Sequence, residues 1–193
     1  MKKITTLFER IYENHEVVGI TPNVTDGMSW VQRGLGVATV KIDGSCTAII
    51  GGNFYKRYDA KKGKKPPEGA IPCCDPDPVT GHWPHWVLVN KDIPGDKWYW
   101  EAYQNALADG TITEDEADWT FEAVGPHFQN NPYNLPADTL EPHGRQNIRV
   151  GRSFDGIKQY LTEHEIEGIV FWLDGEPRCK IKRSDFGLPW PVK

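Results

Sequence analysis

Apolar and polar residues alternate in short bursts along this chain, and the period changes from segment to segment. Ile4, Leu7, Phe8 and Ile11 stand at offsets 0, 3, 4 and 7, which predicts a short amphipathic helix over residues 4–11. Residues 37–42 and 46–50 are apolar runs broken by Asp43-Gly44-Ser45, which predicts two strands joined by a tight, hairpin-like turn. Gly51-Gly52 turns the chain into a further strand over 53–58, and 86–90 and 119–124 also read as strands. Residues 96–108 are expected to be helical, with Trp98 or Tyr99, Ala102, Tyr103, Ala106 and Leu107 on the apolar side. Ser153 is placed to cap a helix over 154–164 that buries Phe154, Ile157, Tyr160 and Leu161. Residues 168–173 and 178–182 flank Asp174-Gly175, a two-residue hairpin signal. Two loops separate these elements: a basic, Pro- and Gly-rich stretch over 60–84 and a stretch over 125–144 with four prolines. Several hairpins with about three helices favour an α+β fold over a parallel βαβ layout. No repeat or linker divides the chain, so residues 1–193 are expected to form a single domain.

Composition narrows the picture. With 38% hydrophobic and 25% charged residues, the chain suits a packed globular core and not a disordered segment. It holds no run of about 18 apolar residues, and Glu9 and Arg10 interrupt the first apolar stretch. The expectation is an intracellular, cytoplasmic protein with no membrane span and no protein partner implied. A net charge of −5 excludes coating nucleic acid by bulk charge and leaves room for a local basic groove. The four cysteines, Cys46, Cys73, Cys74 and Cys179, are expected as free thiols. Cys73, Cys74, His82 and His85 follow no standard zinc spacing.

Five short patterns carry chemistry. In Val40-Lys41-Ile42-Asp43-Gly44, a lysine ends an apolar strand just before a turn. Sheltering an ammonium is costly, and a lowered pKa is what turns a lysine into a nucleophile. Residues 56–65 hold six cations, Lys56, Arg57, Lys61, Lys62, Lys64 and Lys65, against one acid. Arg57 offers a bidentate fork for phosphate, and Tyr55 and Tyr58 interleave aromatic rings as single-strand binding surfaces do. Strand alternation in Trp119-Thr120-Phe121-Glu122-Ala123-Val124 puts Glu122 opposite Phe121 and Ala123. Glu167 stands at the entry of a very apolar strand, Gly168-Ile169-Val170-Phe171. In Cys179-Lys180-Ile181-Lys182 both lysines share one strand face, about 7 Å apart. Taken singly, each pattern also suits a structural role.

In that order the five patterns resemble covalent nucleotidyltransferases, the family of ATP-dependent DNA and RNA ligases and mRNA capping enzymes. The matches are to motif I at Lys41–Gly44, motif III or IIIa at Phe121–Gly125, motif IV at Glu167–Val170 and motif V at Lys180–Lys182. A narrower resemblance rests on Gly81-His82-Trp83, Glu122-Ala123-Val124-Gly125, Asn131-Pro132-Tyr133, Pro142-His143-Gly144, Glu167-Gly168-Ile169-Val170 and Gly187-Leu188-Pro189-Trp190-Pro191. These are similar to the small RNA ligases found in vertebrates and sporadically elsewhere, which join 5′-phosphate to 3′-hydroxyl RNA ends.

The resemblance implies a ligase adenylation domain, with antiparallel sheets and flanking helices. It implies ATP as the nucleotide, Mg²⁺ or Mn²⁺ as the cation and RNA with 5′-phosphate and 3′-hydroxyl ends as substrate. Lys41 is then the nucleophile, with Lys180 and Lys182 against the α-phosphate. Glu167 is the expected metal residue. Glu122 is expected on the ribose, Arg57 on the nucleotide or RNA end phosphate, and Thr39 at the base. Asp43 counts with the nucleotide-binding residues and is expected to shape the turn and orient Lys41. Lys56, Lys61, Lys62, Lys64 and Lys65 are the expected RNA contacts. Phe121, Phe128 and Trp172 are the candidates for stacking on adenine. Eleven residues follow Lys182, which leads to the expectation of no C-terminal oligonucleotide-binding barrel. Two other readings stay open: a non-catalytic RNA- or nucleotide-binding module of the same fold, and a DNA ligase or guanylyltransferase.

Overall fold

The computed structural model describes residues 4–14, 16–78 and 80–192. Its strands begin with β1 (Thr5–Thr6), β2 (Phe8–Glu13), β3 (Glu16–Val24) and β4 (Val37–Lys41). Then come β5 (Ser45–Ile50), β6 (Asn53–Ala60), β7 (Ile71–Pro72) and β8 (Trp83–Leu88). After helix α1 (Lys97–Ala108) follow β9 (Trp119–Val124), β10 (Thr139–Pro142) and β11 (Asn147–Ile148). Helix α2 (Phe154–Glu163) precedes β12 (Gly168–Leu173) and β13 (Glu176–Lys182). The described residues divide into two compact units: a central one in sequence over Asp43–His143, and a flanking one built from residues 4–42 and 144–192.

In the flanking unit a five-stranded sheet runs in the order β1-β13-β12-β4-β11. The hairpin β12–β13 turns at Asp174 and Gly175, both at positive φ (54° and 76°), the conformation that an Asp-Gly two-residue turn supplies. Alternation then sends Ile169, Phe171, Cys179 and Ile181 into a core with Ala38, Leu7 and Phe8. α2 closes that core with Ile157 and Leu161, and its first turn is capped by Ser153, whose hydroxyl accepts the Gly156 N–H at 3.1 Å. Each large side chain buried there contributes about 1.5–3 kcal/mol. The strands β2 and β3 form a separate two-stranded sheet.

In the central unit the sheet order is β10-β9-β5-β6-β8-β7, antiparallel throughout. Its inner face, with Ile49, Phe54, Phe121 and Ala123, packs on α1 through Ala102 and Ala106. Trp98, Tyr99, Tyr103 and Leu107 flank those two alanines, as the sequence spacing predicted. The fold is therefore α+β, and no helix among the described residues is long and apolar enough to cross a membrane.

Two expectations fail. Residues 4–11 are strand and not helix: β1 pairs in parallel with β13, and β2 pairs with β3 through two register shifts. The chain breaks between β1 and β2 at Leu7, so the adjacent Leu7 and Phe8 are both buried, and this interruption of the period-2 alternation imitates helical spacing. Second, β4 and β5 do not form a hairpin. β4 pairs with β12 and β11, whereas β5 pairs with β6 and β9.

Candidate functional site

The flanking unit gathers three of the sequence's lysines on one face of its sheet. In the register of the central strand, Gly168 lies between Lys41 on β4 and Lys182 on β13, and Val170 lies between Thr39 and Lys180. Strands stand about 4.8 Å apart, so long side chains on this face reach one another across the glycine. Gly168 is required by the backbone: a Cβ there would strike the Ile181 carbonyl and approach the Lys182 Cα to 3.0 Å.

Glu167, 4% exposed, sits at the head of that arrangement. One of its carboxylate oxygens pairs with the Lys41 ammonium, and the other accepts from Lys182 Nζ at 2.7 Å. Burial, and then the charges of Lys41 and Lys182, push the Lys180 pKa down to about 8, against the pull of Glu167. Three ammonium groups around one carboxylate leave an excess of positive charge, an arrangement suited to an anion with several oxygens. Asp185 braces the same strand end, accepting from the Lys182 backbone N–H at 2.8 Å and from Arg10 Nη2 at 3.0 Å. Thr39 is buried, and its hydroxyl accepts from Trp172 Nε1 at 2.9 Å.

The central unit holds a second group. Glu122 on β9 stands in register with Cys46 on β5. Burial, and then the Glu122 carboxylate, push the Cys46 thiol up to about 12, which keeps it protonated; Arg57 acts in the opposite direction. Glu122, Cys46 and Arg57 therefore share one electrostatic neighbourhood. Arg57 Nε donates to Asp59 Oδ1 at 2.9 Å. Glu122 Oε1 accepts from His143 Nε2 at 3.1 Å, and His143 Nδ1 lies 2.8 Å from Thr120 Oγ1. Among the described residues, Glu122 Oε2 is buried without a hydrogen-bond partner. Gly44 presses on the same strand: a Cβ there would strike the Ala123 carbonyl and come within 3.1 Å of Glu122 Cβ. The Asp43 N–H donates to the Tyr133 hydroxyl at 2.6 Å.

The basic segment splits by strand parity. Lys56 lies on the inner face of β6, where its ammonium pairs with Asp96, 1% exposed. Its charge is paired within the fold. Lys61, Lys62, Lys64 and Lys65 follow β6 and are exposed. Phe121 and Phe128 are core residues of the central unit. Trp172 packs its ring against Gly144, where a Cβ would come within 2.9 Å of Cζ2. Among the described residues no group of three His, Cys, Asp or Glu side chains is placed to hold a metal ion. His85 is buried with Nδ1 2.8 Å from the Trp83 carbonyl.

Three residues lay outside the roles assigned from sequence: His143, Tyr133 and Asp185. Two of them sit in motifs of the sequence, Pro142-His143-Gly144 and Asn131-Pro132-Tyr133. Nothing local says that their partners are Glu122 and the Asp43 amide.

No family model matches the chain. It is similar to "RNA ligase 1" of Danio rerio, 31% identical over 139 residues that cover 58% of this chain and 43% of that protein. The proteins of the same name from Rattus norvegicus and Mus musculus are 28% and 29% identical over 140 and 143 residues. The chain spans less than half the length of each of these relatives, 43% in every case.

Proposed function

We propose that the chain is an ATP-dependent RNA ligase that works through a lysyl-AMP on Lys41. The observation that carries this reading is the convergence of Lys41 and Lys182 on Glu167, with Lys180 on the same strand face. The similarity to vertebrate proteins named RNA ligase 1 supports the choice of RNA.

The chemistry follows from the groups present. Lys41 must lose a proton and direct its lone pair at the α-phosphorus of ATP; the N–P bond forms as the bond to pyrophosphate breaks. A 5′-phosphate oxygen of RNA then attacks the same phosphorus and Lys41 leaves. Finally the 3′-hydroxyl oxygen attacks the RNA 5′-phosphate and AMP departs. Each step is an in-line transfer, so alignment and charge neutralisation supply most of the rate. Lys180 and Lys182 provide cations for the oxygens that gain charge, and Glu167 orients both Lys41 and Lys182. When bound, a divalent cation would neutralise phosphate charge; Glu167 is the residue proposed to hold it, directly or through water, and because its two oxygens pair here with Lys41 and Lys182, a directly held cation would take the place of one of those ammonium groups. Thr39, Asp43, Arg57 and Glu122 are proposed for the nucleotide, and Lys61, Lys62, Lys64 and Lys65 for the RNA backbone.

Incubation with α-labelled ATP and Mg²⁺ or Mn²⁺ tests the reading. Label is expected on wild type and on Lys61→Ala, and none on Lys41→Ala. Nucleotide or RNA binding that survives Lys41→Ala, with no labelling of wild type, would identify a non-catalytic binding module. Label from GTP, or joining of DNA nicks in preference to RNA, would identify the guanylyltransferase or DNA ligase alternative.

A further inference from the structure

His143 is tied to β9 at four points. Its N–H donates to the Thr120 carbonyl at 3.0 Å, and its carbonyl accepts from Trp119 Nε1 at 2.9 Å. Its ring nitrogens reach Thr120 Oγ1 at 2.8 Å and Glu122 Oε1 at 3.1 Å. In the neutral ring the tautomer that satisfies both is Nε2–H donating to the carboxylate and Nδ1 accepting from the Thr120 hydroxyl. One carboxylate oxygen is thereby fixed. The other, Oε2, is enclosed and accepts nothing from the described residues. An enclosed carboxylate oxygen without a donor is costly, and a short polar donor placed there would relieve that cost. Neither basic residue of β6 donates to it in this structure: the Lys56 ammonium pairs with Asp96, and Arg57 Nε with Asp59.

We propose that His143 is a positioning residue which, backed by Thr120, holds Glu122 so that Oε2 takes a ribose hydroxyl. The pair thereby selects ribonucleotides over deoxyribonucleotides. This rests on the ligase reading for the identity of the ligand. A hydroxyl supplies the donor that Oε2 lacks. The seat is rigid because His143 is anchored through its backbone as well as its ring, so the carboxylate does not rotate away when the ligand leaves.

The test is equilibrium binding of AMP, 2′-deoxy-AMP and 3′-deoxy-AMP to the full chain, with self-adenylation from ATP run in parallel. Wild type is expected to prefer AMP over 2′-deoxy-AMP by roughly ten- to a hundred-fold, the range for a hydrogen bond to a charged group, and a preference against 3′-deoxy-AMP alone would overturn the selection of ribonucleotides. His143→Ala and Thr120→Val should shrink that ratio while leaving the affinity for the deoxy analogue nearly unchanged. His143→Gln, whose amide can still donate to Oε1, should restore it in part. A merely structural role would lower all three affinities together and leave the ratio intact, which would overturn the proposal. A wild-type protein that labels from ATP but shows no preference would overturn it while the ligase reading stands. Absence of both label and AMP binding would overturn the two together.

Discussion

Lys41 is ion-paired across neighbouring strands to Glu167, a carboxylate that is 4% exposed and that also binds Lys182. Glu167→Ala should therefore leave three ammonium groups facing one another. The expected loss is about 1–3 kcal/mol, less than for a fully buried pair because the lysines keep some solvent. Thermal denaturation should show a lower Tm. Adding Lys41→Met to Glu167→Ala should recover part of it, since one of the repelling charges is gone. Additive losses in the double variant would contradict this coupling.

Lys180 sets a pH dependence with a definite sign. Its ordinary value is 10.5 and here burial and its lysine neighbours lower it to about 8. Between those values the unfolded chain holds a proton that the folded chain has released, so this group makes stability rise as pH climbs from about 8 toward 10.5. Below that window both forms are charged and the full cost of the sheltered ammonium is present. Lys180→Met should raise Tm at pH 7 by roughly a few degrees, with the gap from wild type closing by pH 10.5. A Tm gain that grows with pH would contradict the assignment. Loss of labelling is expected in the same variant, a trade of activity for stability.

Gly168 tests the packing beneath the lysines. Gly168→Ala sets a methyl group against the Ile181 carbonyl. Backbone must move to accept it, so a destabilisation of about 1–3 kcal/mol is expected by denaturant titration. An unchanged midpoint would mean that β12 and β13 separate more freely than their register implies.

The basic segment divides into two experiments. Lys56→Ala leaves Asp96 buried with one donor fewer and should cost about 1–3 kcal/mol. Replacing Lys61, Lys62, Lys64 and Lys65 together should leave the stability within about 0.5 kcal/mol per site, because all four are exposed. The same quadruple variant should weaken RNA binding and flatten its salt dependence, by about 0.7 in logarithmic slope for each phosphate that is no longer neutralised. An unchanged slope would remove these lysines from the RNA path.

Much of this architecture was legible in the chain because its signals were local. The β12–β13 hairpin followed from Asp174-Gly175 and α2 from Ser153, since turn and cap chemistry act within a few residues. Strand alternation likewise put Lys180 and Lys182 on one face before their partners were known. Illegible features were those decided by distant partners. Thr5 and Thr6 are strand because β13, some 170 residues away, offers an edge to pair with. The turn after Lys41 was visible, but not that it carries the chain from one sheet to another. Lys56 read as one cation among six; alternation from Phe54 puts it on the inner face of β6, but its partner Asp96, 40 positions on, was not legible. His143 gave no signal of its role because its partners, Thr120 and Glu122, lie more than 20 positions back.

The most direct measurement is mass spectrometry of peptides from the protein after incubation with ATP and a divalent cation. The account predicts an AMP adduct on the peptide containing Lys41, removed by mild acid as a phosphoramidate is, and absent from the peptide containing Lys180 and Lys182. An adduct carried by another lysine, or an unmodified Lys41 peptide from protein that nonetheless joins RNA, would contradict it.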